Sequence, residues 1–274
     1  MQMEYRLDEL HNLSHLPKAV CLISYGVRIF LLIYDSRILR LIPNYLPPRC
    51  SQCKSTHADI TYSLLFDESS ASYVLNRGEE LFYKSQDIHE FLDVFDSDMR
   101  IQIATSVKDL LFVHAGVVEW KAKAIILPGS SYTGKTHLVK ELLRAGATYY
   151  SDEYAVFDSD GLVHSYPRPL SLRSNDGNRT ERVAIDKLTD RIGSEALPVG
   201  MILDTHYVSG GSWNPEPISS CHAALVLFGN TIVARLRPEF ALPILACVAA
   251  NAQSYQGERG EAIDTVSTML QMLK

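Results

Sequence analysis

No cluster of lysines and arginines occurs anywhere in this chain, and that lack excludes one large class of partners at the outset. Binding to nucleic acid rests largely on basic patches that neutralise phosphates. Here the basic residues are scattered and outnumbered, 26 against 32 acidic ones, for a formal charge of −6. Nucleic acid is therefore not expected as a partner. Long apolar runs are also missing. The greasiest stretch, Ala19 to Tyr34, is too short to span a bilayer comfortably and carries Arg28 near its middle. Two core strands meeting at Tyr25-Gly26 explain it better, and no membrane association is expected. The opening residues Met1 to Arg6 lead into polar sequence, so no secretory leader is expected. Cysteine is sparse. Five cysteines, odd in number and irregularly spaced, suggest reduced thiols in a cytoplasmic setting. Cys21, Cys221 and Cys247 lie in apolar contexts and read as core fillers. Cys50 and Cys53 form a lone C-x-x-C with His57 nearby; a structural zinc site needs four ligands and no second pair is visible, which favours a plain loop. Internal repeats and low-complexity tracts are lacking too.

What remains is a globular composition, 46% hydrophobic over 274 residues, enough for one or two domains with a sizeable core. Residues 1–105 read as a β-rich segment with helical parts. Strands are expected at Ala19–Ser24, Val27–Tyr34, Ile38–Leu41, Ile60–Leu65 and Ala71–Leu75, with Glu80–Lys84 pairing back across Asn76-Arg77-Gly78. A helix over about Asp87–Val107 closes the segment. Residues 106–274 change character. Leu111–Val118 and Lys121–Leu127 read as strands, Thr148–Ser151 as a third, and Tyr154–Phe157 with Leu162–Tyr166 as a hairpin over Asp158-Ser159-Asp160-Gly161. Arg168 to Arg182 reads as a long, Arg-rich loop. Further strands are expected at Val199–Leu203 and Ala223–Phe228, and helices near Ala241–Gln253 and Glu261–Leu273. The fold class is α/β, a sandwich whose central sheet carries its site at the strand ends.

The most informative segment is Gly129-Ser130-Ser131-Tyr132-Thr133-Gly134-Lys135-Thr136. Two glycines at this spacing, then Lys and a hydroxyl residue, suit a loop wrapped around a polyphosphate. Its backbone N–H groups point inward, Lys135 reaches the terminal phosphates, and Thr136 can ligate Mg²⁺. The flanks agree. Ala124-Ile125-Ile126-Leu127 reads as a buried strand; Lys135 to Arg144 carries Leu138, Val139, Leu142 and Leu143 at helical spacing, with Gly146 as the stop. A strand, a Gly-bounded loop and a helix N-terminus form an anion site out of peptide dipoles. Residues 129 to 137, with His137 in the first helical turn, are the expected nucleotide-binding set.

Phosphoryl transfer asks little covalent chemistry of the protein: it needs positioning, a metal to spread charge, and often a carboxylate to take the acceptor's proton. Asp152-Glu153 follow the strand after the phosphate-loop helix, which should bring them to the same sheet edge as the loop. One can hold Mg²⁺ while the other faces the incoming hydroxyl. Asp158 opens a turn with Gly161 and reads as a turn former. Asp204, after Val199–Leu203, stands either where a strand-end metal ligand would or as a strand-end cap.

Three motifs in order, His114-Ala115-Gly116-Val117-Val118, the loop Gly129 to Thr136, and Tyr149-Tyr150-Ser151-Asp152-Glu153, resemble the C-terminal catalytic domain of HPr serine kinase/phosphorylase and its relatives. The likeness covers roughly Val107 to Arg173. It implies a phosphoenolpyruvate-carboxykinase-like P-loop kinase core over residues 106–274, with ATP and Mg²⁺ as cofactors and a serine hydroxyl as acceptor. By the same resemblance Asp152 is the proton acceptor, Lys135 and Thr136 hold phosphates and metal, Glu153 assists the metal, and His114 lines the site. Arg168 and Arg173, within Pro167-Arg168-Pro169-Leu170-Ser171-Leu172-Arg173, would steady phosphates or substrate. The sequence departs from the pattern at Tyr132 and Thr133, where relatives commonly have Gly and a small residue, and at Glu153 in place of a second Asp. The substrate-docking signature of the bifunctional enzymes is absent after the acidic pair. Related kinases phosphorylate a serine of a ribosomally made peptide, as in lasso-peptide pathways, or small hydroxyl compounds. The expected partner is thus a peptide or protein serine substrate. A small-molecule hydroxyl kinase or a non-catalytic ATP-binding module is the alternative. Relatives can form multimers, so a homo-oligomer falls within the expectation.

Overall fold

The computed structural model describes residues 18–129, 134–173 and 180–273, the side chains of residues 172, 173, 180 and 181 excepted. The chain divides into two compact units between Ile103 and Ala104. Among the described residues no helix is long and apolar enough to cross a membrane.

In the first unit, β1 (Lys18–Ser24) and β2 (Val27–Ile33) form an antiparallel hairpin. Tyr25 and Gly26 turn it, both at positive φ (50° and 80°), as a tight two-residue connection between right-twisted strands requires. Strict alternation in β2 sends Val27, Ile29, Leu31 and Ile33 into the core. Next comes α1 (Ser36–Leu41), where Ile38–Leu41 reads from sequence as a strand. The helix wins because the Asp35 side chain caps it, accepting from Arg37 N at 2.8 Å and Ile38 N at 3.3 Å. The strands β3 (Ser51–Gln52), β4 (Ile60–Asp67), β5 (Ser72–Arg77) and β6 (Glu80–Ser85) complete a sheet of order β3-β1-β2-β4-β5-β6. The helix α2 (Ile88–Ser106) buries Phe91, Leu92, Phe95 and Met99, and Phe95 meets Tyr62 edge-on at 5.2 Å. Asp98, also buried, accepts from the Tyr62 hydroxyl at 2.7 Å and from Arg77 at 2.6 Å.

The cysteines depart from expectation. Cys21 on β1 is joined by a disulfide to Cys53, just beyond β3, so neither is a reduced thiol and Cys53 is not half of a metal-binding pair with Cys50. Cys50 is buried and outside the disulfide, Cys221 is exposed and Cys247 half-buried, so the last two are not core fillers. Sparse, irregular spacing carries no information on which sulfurs meet in space.

The second unit contains β7 (Leu111–Trp120), β8 (Lys123–Pro128), α3 (Lys135–Arg144), β9 (Thr148–Ser151), β10 (Tyr154–Phe157), β11 (Val163–His164), β12 (Leu170–Arg173), β13 (Thr180–Val183), β14 (Val199–Tyr207), β15 (Glu216–Pro217), α4 (Ser220–Gly229), α5 (Pro238–Asn251), β16 (Gln253–Arg259) and α6 (Ala262–Met272). It is a mixed α/β sandwich. The central sheet runs β11-β10-β7-β8-β14-β16-β15, with β9 joining along β7. β8, β14 and β16 are parallel, and β7 is antiparallel to β8. One face packs Val113, Ile126 and Ile202 against Ala223 and Leu227 of α4 and Leu245 and Val248 of α5. The other packs Leu127, Met201 and Leu203 against Leu138, Val139 and Leu142 of α3 and Met269 of α6.

Three stretches of this unit differ from the sequence reading. Ala223–Phe228 lies within α4, not a strand: an unbroken apolar run has no diagnostic period, and the Ser219 side chain decides by accepting from His222 N at 3.2 Å. The stretch 168–182 is not one loop, since β12 and β13 pair antiparallel from Leu170↔Val183 to Arg173↔Thr180 and bury Leu170. β16 is the largest surprise. Its polar sequence Gln-Ser-Tyr-Gln-Gly-Glu-Arg carries no strand pattern, yet it pairs in register with β14 from Met201↔Gln253 to Tyr207↔Arg259. Because β14 runs on to Tyr207, Asp204 sits inside that strand opposite Gln256 and not at its end.

Candidate active site

The site begins where β8 ends at Pro128 and α3 starts at Lys135. Gly134, the N-cap, takes φ 79° and ψ 10°, a left-handed conformation that a side chain would oppose. At its other end α3 stops in a glycine cap: Gly146 N donates to Leu143 O and Ala147 N to Leu142 O. The helix lies close over β7 because Gly116 has no side chain. A Cβ there would stand 2.7 Å from Val139 Cγ2 and 3.2 Å from Lys135 Cγ. Ser130, Ser131, Tyr132 and Thr133 lie outside the described residues.

Lys135 is buried at 7% exposure, and its ammonium donates to Gly129 O at 2.8 Å and reaches His114 Nδ1 at 2.9 Å. Burial pushes its pKa down, and Asp152 and Glu153 pull it back up. His114 also lies 2.6 Å from Gly129 O through Nδ1 and 3.2 Å from Glu153 Oε1 through Nε2. With its hydrogen on Nε2 the ring donates to Glu153 and accepts from Lys135; a hydrogen on Nδ1 finds Gly129 O instead. The imidazole thus links the start of the loop to the acidic pair.

The acidic pair reaches this edge by strand direction. β9 is antiparallel to β7, and β7 to β8, so β9 runs the same way as β8 one strand removed. Both therefore end at one edge of the sheet. Ser151 then turns the chain, its Oγ accepting from Glu153 N at 3.1 Å and Tyr154 N at 3.0 Å, while Glu153 O accepts from Ala115 N. Asp152 is left 9% exposed, with Oδ1 buried and without a hydrogen-bond partner. Burial raises its pKa to about 7, against the lowering effects of a Thr136 hydrogen bond and the nearby Lys135. Glu153 pushes it further up and His114 pulls it down. Lys135, Thr136, His114, Asp152 and Glu153 are thus brought together. The hydroxyl and carboxylate oxygens, one of them orphaned, make a hard donor set suited to Mg²⁺. No cluster of three His, Cys, Asp or Glu side chains with metal-binding geometry occurs among the described residues.

The remaining expected residues are spread more widely. Arg168 is buried, and its carbonyl accepts from the Tyr149 hydroxyl at 2.8 Å, tying the segment after β11 to the strand that delivers Asp152. Arg173 ends β12, and its side chain is outside the described set. His137 is exposed on the first turn of α3. Asp158 is the turn former it reads as, accepting from Asp160 N and Leu162 N and meeting His164 Nε2 at 2.8 Å. One buried charge beside the loop is absent from the sequence reading: Arg259, at the end of β16, donates to Gly134 O at 2.9 Å. Only its place between Gly257 and Gly260, in a segment without periodicity, hinted at a tight approach. A cavity of about 440 Å³ opens at the opposite sheet edge, where Lys123, Val199 and Gln253 begin or precede the parallel run, and none of the site residues lines it. In comparisons with known proteins, no family model matches the chain and no curated protein matches it significantly.

Proposed function

We propose that this chain is an Mg·ATP-dependent kinase transferring the γ-phosphoryl group to a serine hydroxyl of a peptide or protein, on a phosphoenolpyruvate-carboxykinase-like P-loop core. The observation that carries this reading is Asp152: a buried carboxyl with an unpartnered oxygen, next to Thr136 and Lys135 at the mouth of a helix. Phosphate oxygens are held by the N–H groups at the start of α3 and by the Lys135 ammonium, which exchanges Gly129 O and His114 for a charged acceptor. Thr136 and Glu153 supply oxygens to Mg²⁺, whose contribution is to spread the phosphate charge. Asp152 takes the proton of the acceptor hydroxyl as that oxygen bonds to the γ-phosphorus and the bond to the bridging oxygen breaks, releasing ADP. A carboxylate titrating at about 7 suits this role, since a base is most effective near the working pH. His114 keeps Lys135 and Glu153 in place, its Nδ1 accepting from the ammonium while Nε2 donates to the acid.

The test uses titration calorimetry with Mg·ATP and γ-labelled ATP incubated with a lysate or a serine peptide library. Wild type is expected to bind and to label polypeptide. D152N should bind nucleotide yet lose about 10²–10⁴-fold in transfer. Binding without transfer to any acceptor would leave an ATP-holding regulatory module; label appearing only on small molecules would favour a small-molecule kinase. No heat with Mg·ATP would end the proposal.

A further inference from the structure

We infer that Arg259 is a positioning residue at the mouth of α3, a buried cation without an ion-pair partner among the described residues, so that the phosphates of a bound nucleotide neutralise it. The inference rests on the phosphate-site reading above and adds a residue from the far end of the sequence.

Arg259 is 1% exposed, among the largest side chains fully enclosed by the protein. Its partners are neutral: Nη2 donates to Gly134 O at 2.9 Å, Nη1 to Gly260 O at 3.1 Å, and Nε is buried with no partner. Its centre lies 5.7 Å from the Tyr207 ring. Of the two acids that flank it in sequence, Glu258 is exposed on the strand, and Glu261 is engaged by the Tyr207 hydroxyl at 2.7 Å and acts on the guanidinium only through space. A desolvated cation without an ion-pair partner burdens the folded state.

Its location makes the cost larger. Gly134 O also receives the first hydrogen bond of α3, from Leu138 N at 3.2 Å. Since the peptide is trans, the Lys135 N–H on the other side of that unit points out of the helix mouth. A guanidinium on the carbonyl polarises the peptide and strengthens this N–H as a donor. A positive charge at a helix N-terminus opposes the helix dipole, and an anion at the mouth answers both. Gly134 is shaped for this arrangement, because a Cβ there would stand 2.7 Å from Arg259 Nη2.

The experiment compares wild type, R259M and R259K by thermal melting without ligand and by calorimetric titration with Mg·ADP and with Mg·pyrophosphate. R259M is expected to melt at or above the wild-type temperature, because the variant removes a buried charge that nothing balances. It should bind both ligands about 10- to 100-fold more weakly, by equal factors, as the loss falls on the phosphates. R259K should recover part of the affinity. An R259M protein that is unfolded, or that melts well below wild type, makes Arg259 a structural residue and overturns the inference. So does undiminished binding by R259M when wild type binds. A wild-type protein that binds neither ligand instead overturns the phosphate-site reading, and this inference with it.

Discussion

Replacing Asp152 by Asn should make the protein more stable, and increasingly so as pH rises. The folded carboxyl titrates at about 7, well above the ordinary aspartate value of 3.8, a consequence chiefly of burial. An acid whose folded pKa lies above its unfolded one is kept neutral by the fold, so it burdens the native state only where the unfolded chain has ionised. Below about pH 3.8 both states are protonated and nothing is lost. Between 3.8 and about 7 the unfolded state alone releases its proton and stability falls; above about 7 the penalty is constant. A rise from 3.8 to about 7, at about 1.4 kcal/mol for each tenfold change in proton affinity, amounts to about 4 kcal/mol. The attraction to the Lys135 ammonium is already contained in that folded value, so the variant should gain about 4 kcal/mol at pH 8 and under about 1 kcal/mol at pH 4. Urea denaturation of both proteins at half-unit intervals from pH 4 to 8.5 measures the difference directly. A gap that stays flat with pH, or a D152N protein weaker than wild type at pH 8, would refute the reasoning.

Other outcomes follow from the same geometry. Transfer by wild type should rise with pH through about 7 as Asp152 ionises, and a rate flat from pH 5 to 8 would remove Asp152 as the base. Lys135→Ala should abolish turnover, and an active variant would end the phosphate-loop mechanism. Gly134→Ala should lower stability by about 1–2 kcal/mol from its left-handed backbone, and weaken Mg·ADP binding by displacing Arg259, both read by melting with and without ligand. Gly116→Ala should cost about 1–3 kcal/mol in urea denaturation by pressing on Val139, and Val139→Ala in the same chain should relieve much of that loss. Cys21→Ser opens a link spanning 32 residues, and the first unit should lose about 3–4 kcal/mol, measured by melting with and without reductant.

Local signals made much of the molecule legible from sequence. The hairpin at Tyr25-Gly26, the helix after Gly134 and the turn at Asp158 each follow from a few neighbouring residues with particular backbone needs. The errors lie where tertiary pairing or a single cap decides. Residues 253–259 are a strand because β14 and β15 flank them, and nothing in their own polarity says so. α1 and α4 turned on Asp35 and Ser219, one side chain each, against β-branched or featureless apolar runs. The closeness of His114, Lys135, Asp152 and Glu153 was approachable because a strand, a crossing helix and the next strand of like direction share an edge. Arg259 was not, because it comes from a strand unseen in the pattern, and the Cys21–Cys53 link joins residues with no sequence cue.

β7 holds two different neighbours on one side, β10 from Leu111 to His114 and β9 from Val117 to Glu119, the changeover falling between His114 and Val117. A seam of this kind puts the histidine and the acids under one mechanical master. Any sliding of β7 would carry the imidazole relative to the lysine helix and disturb the serine corner that aims Asp152, so slippage is opposed by three ladders together. The frame is consequently stiff by construction. In the proposed kinase, adaptation to a new acceptor would come from the flanking segments, without retuning the spacing between Asp152 and the start of α3.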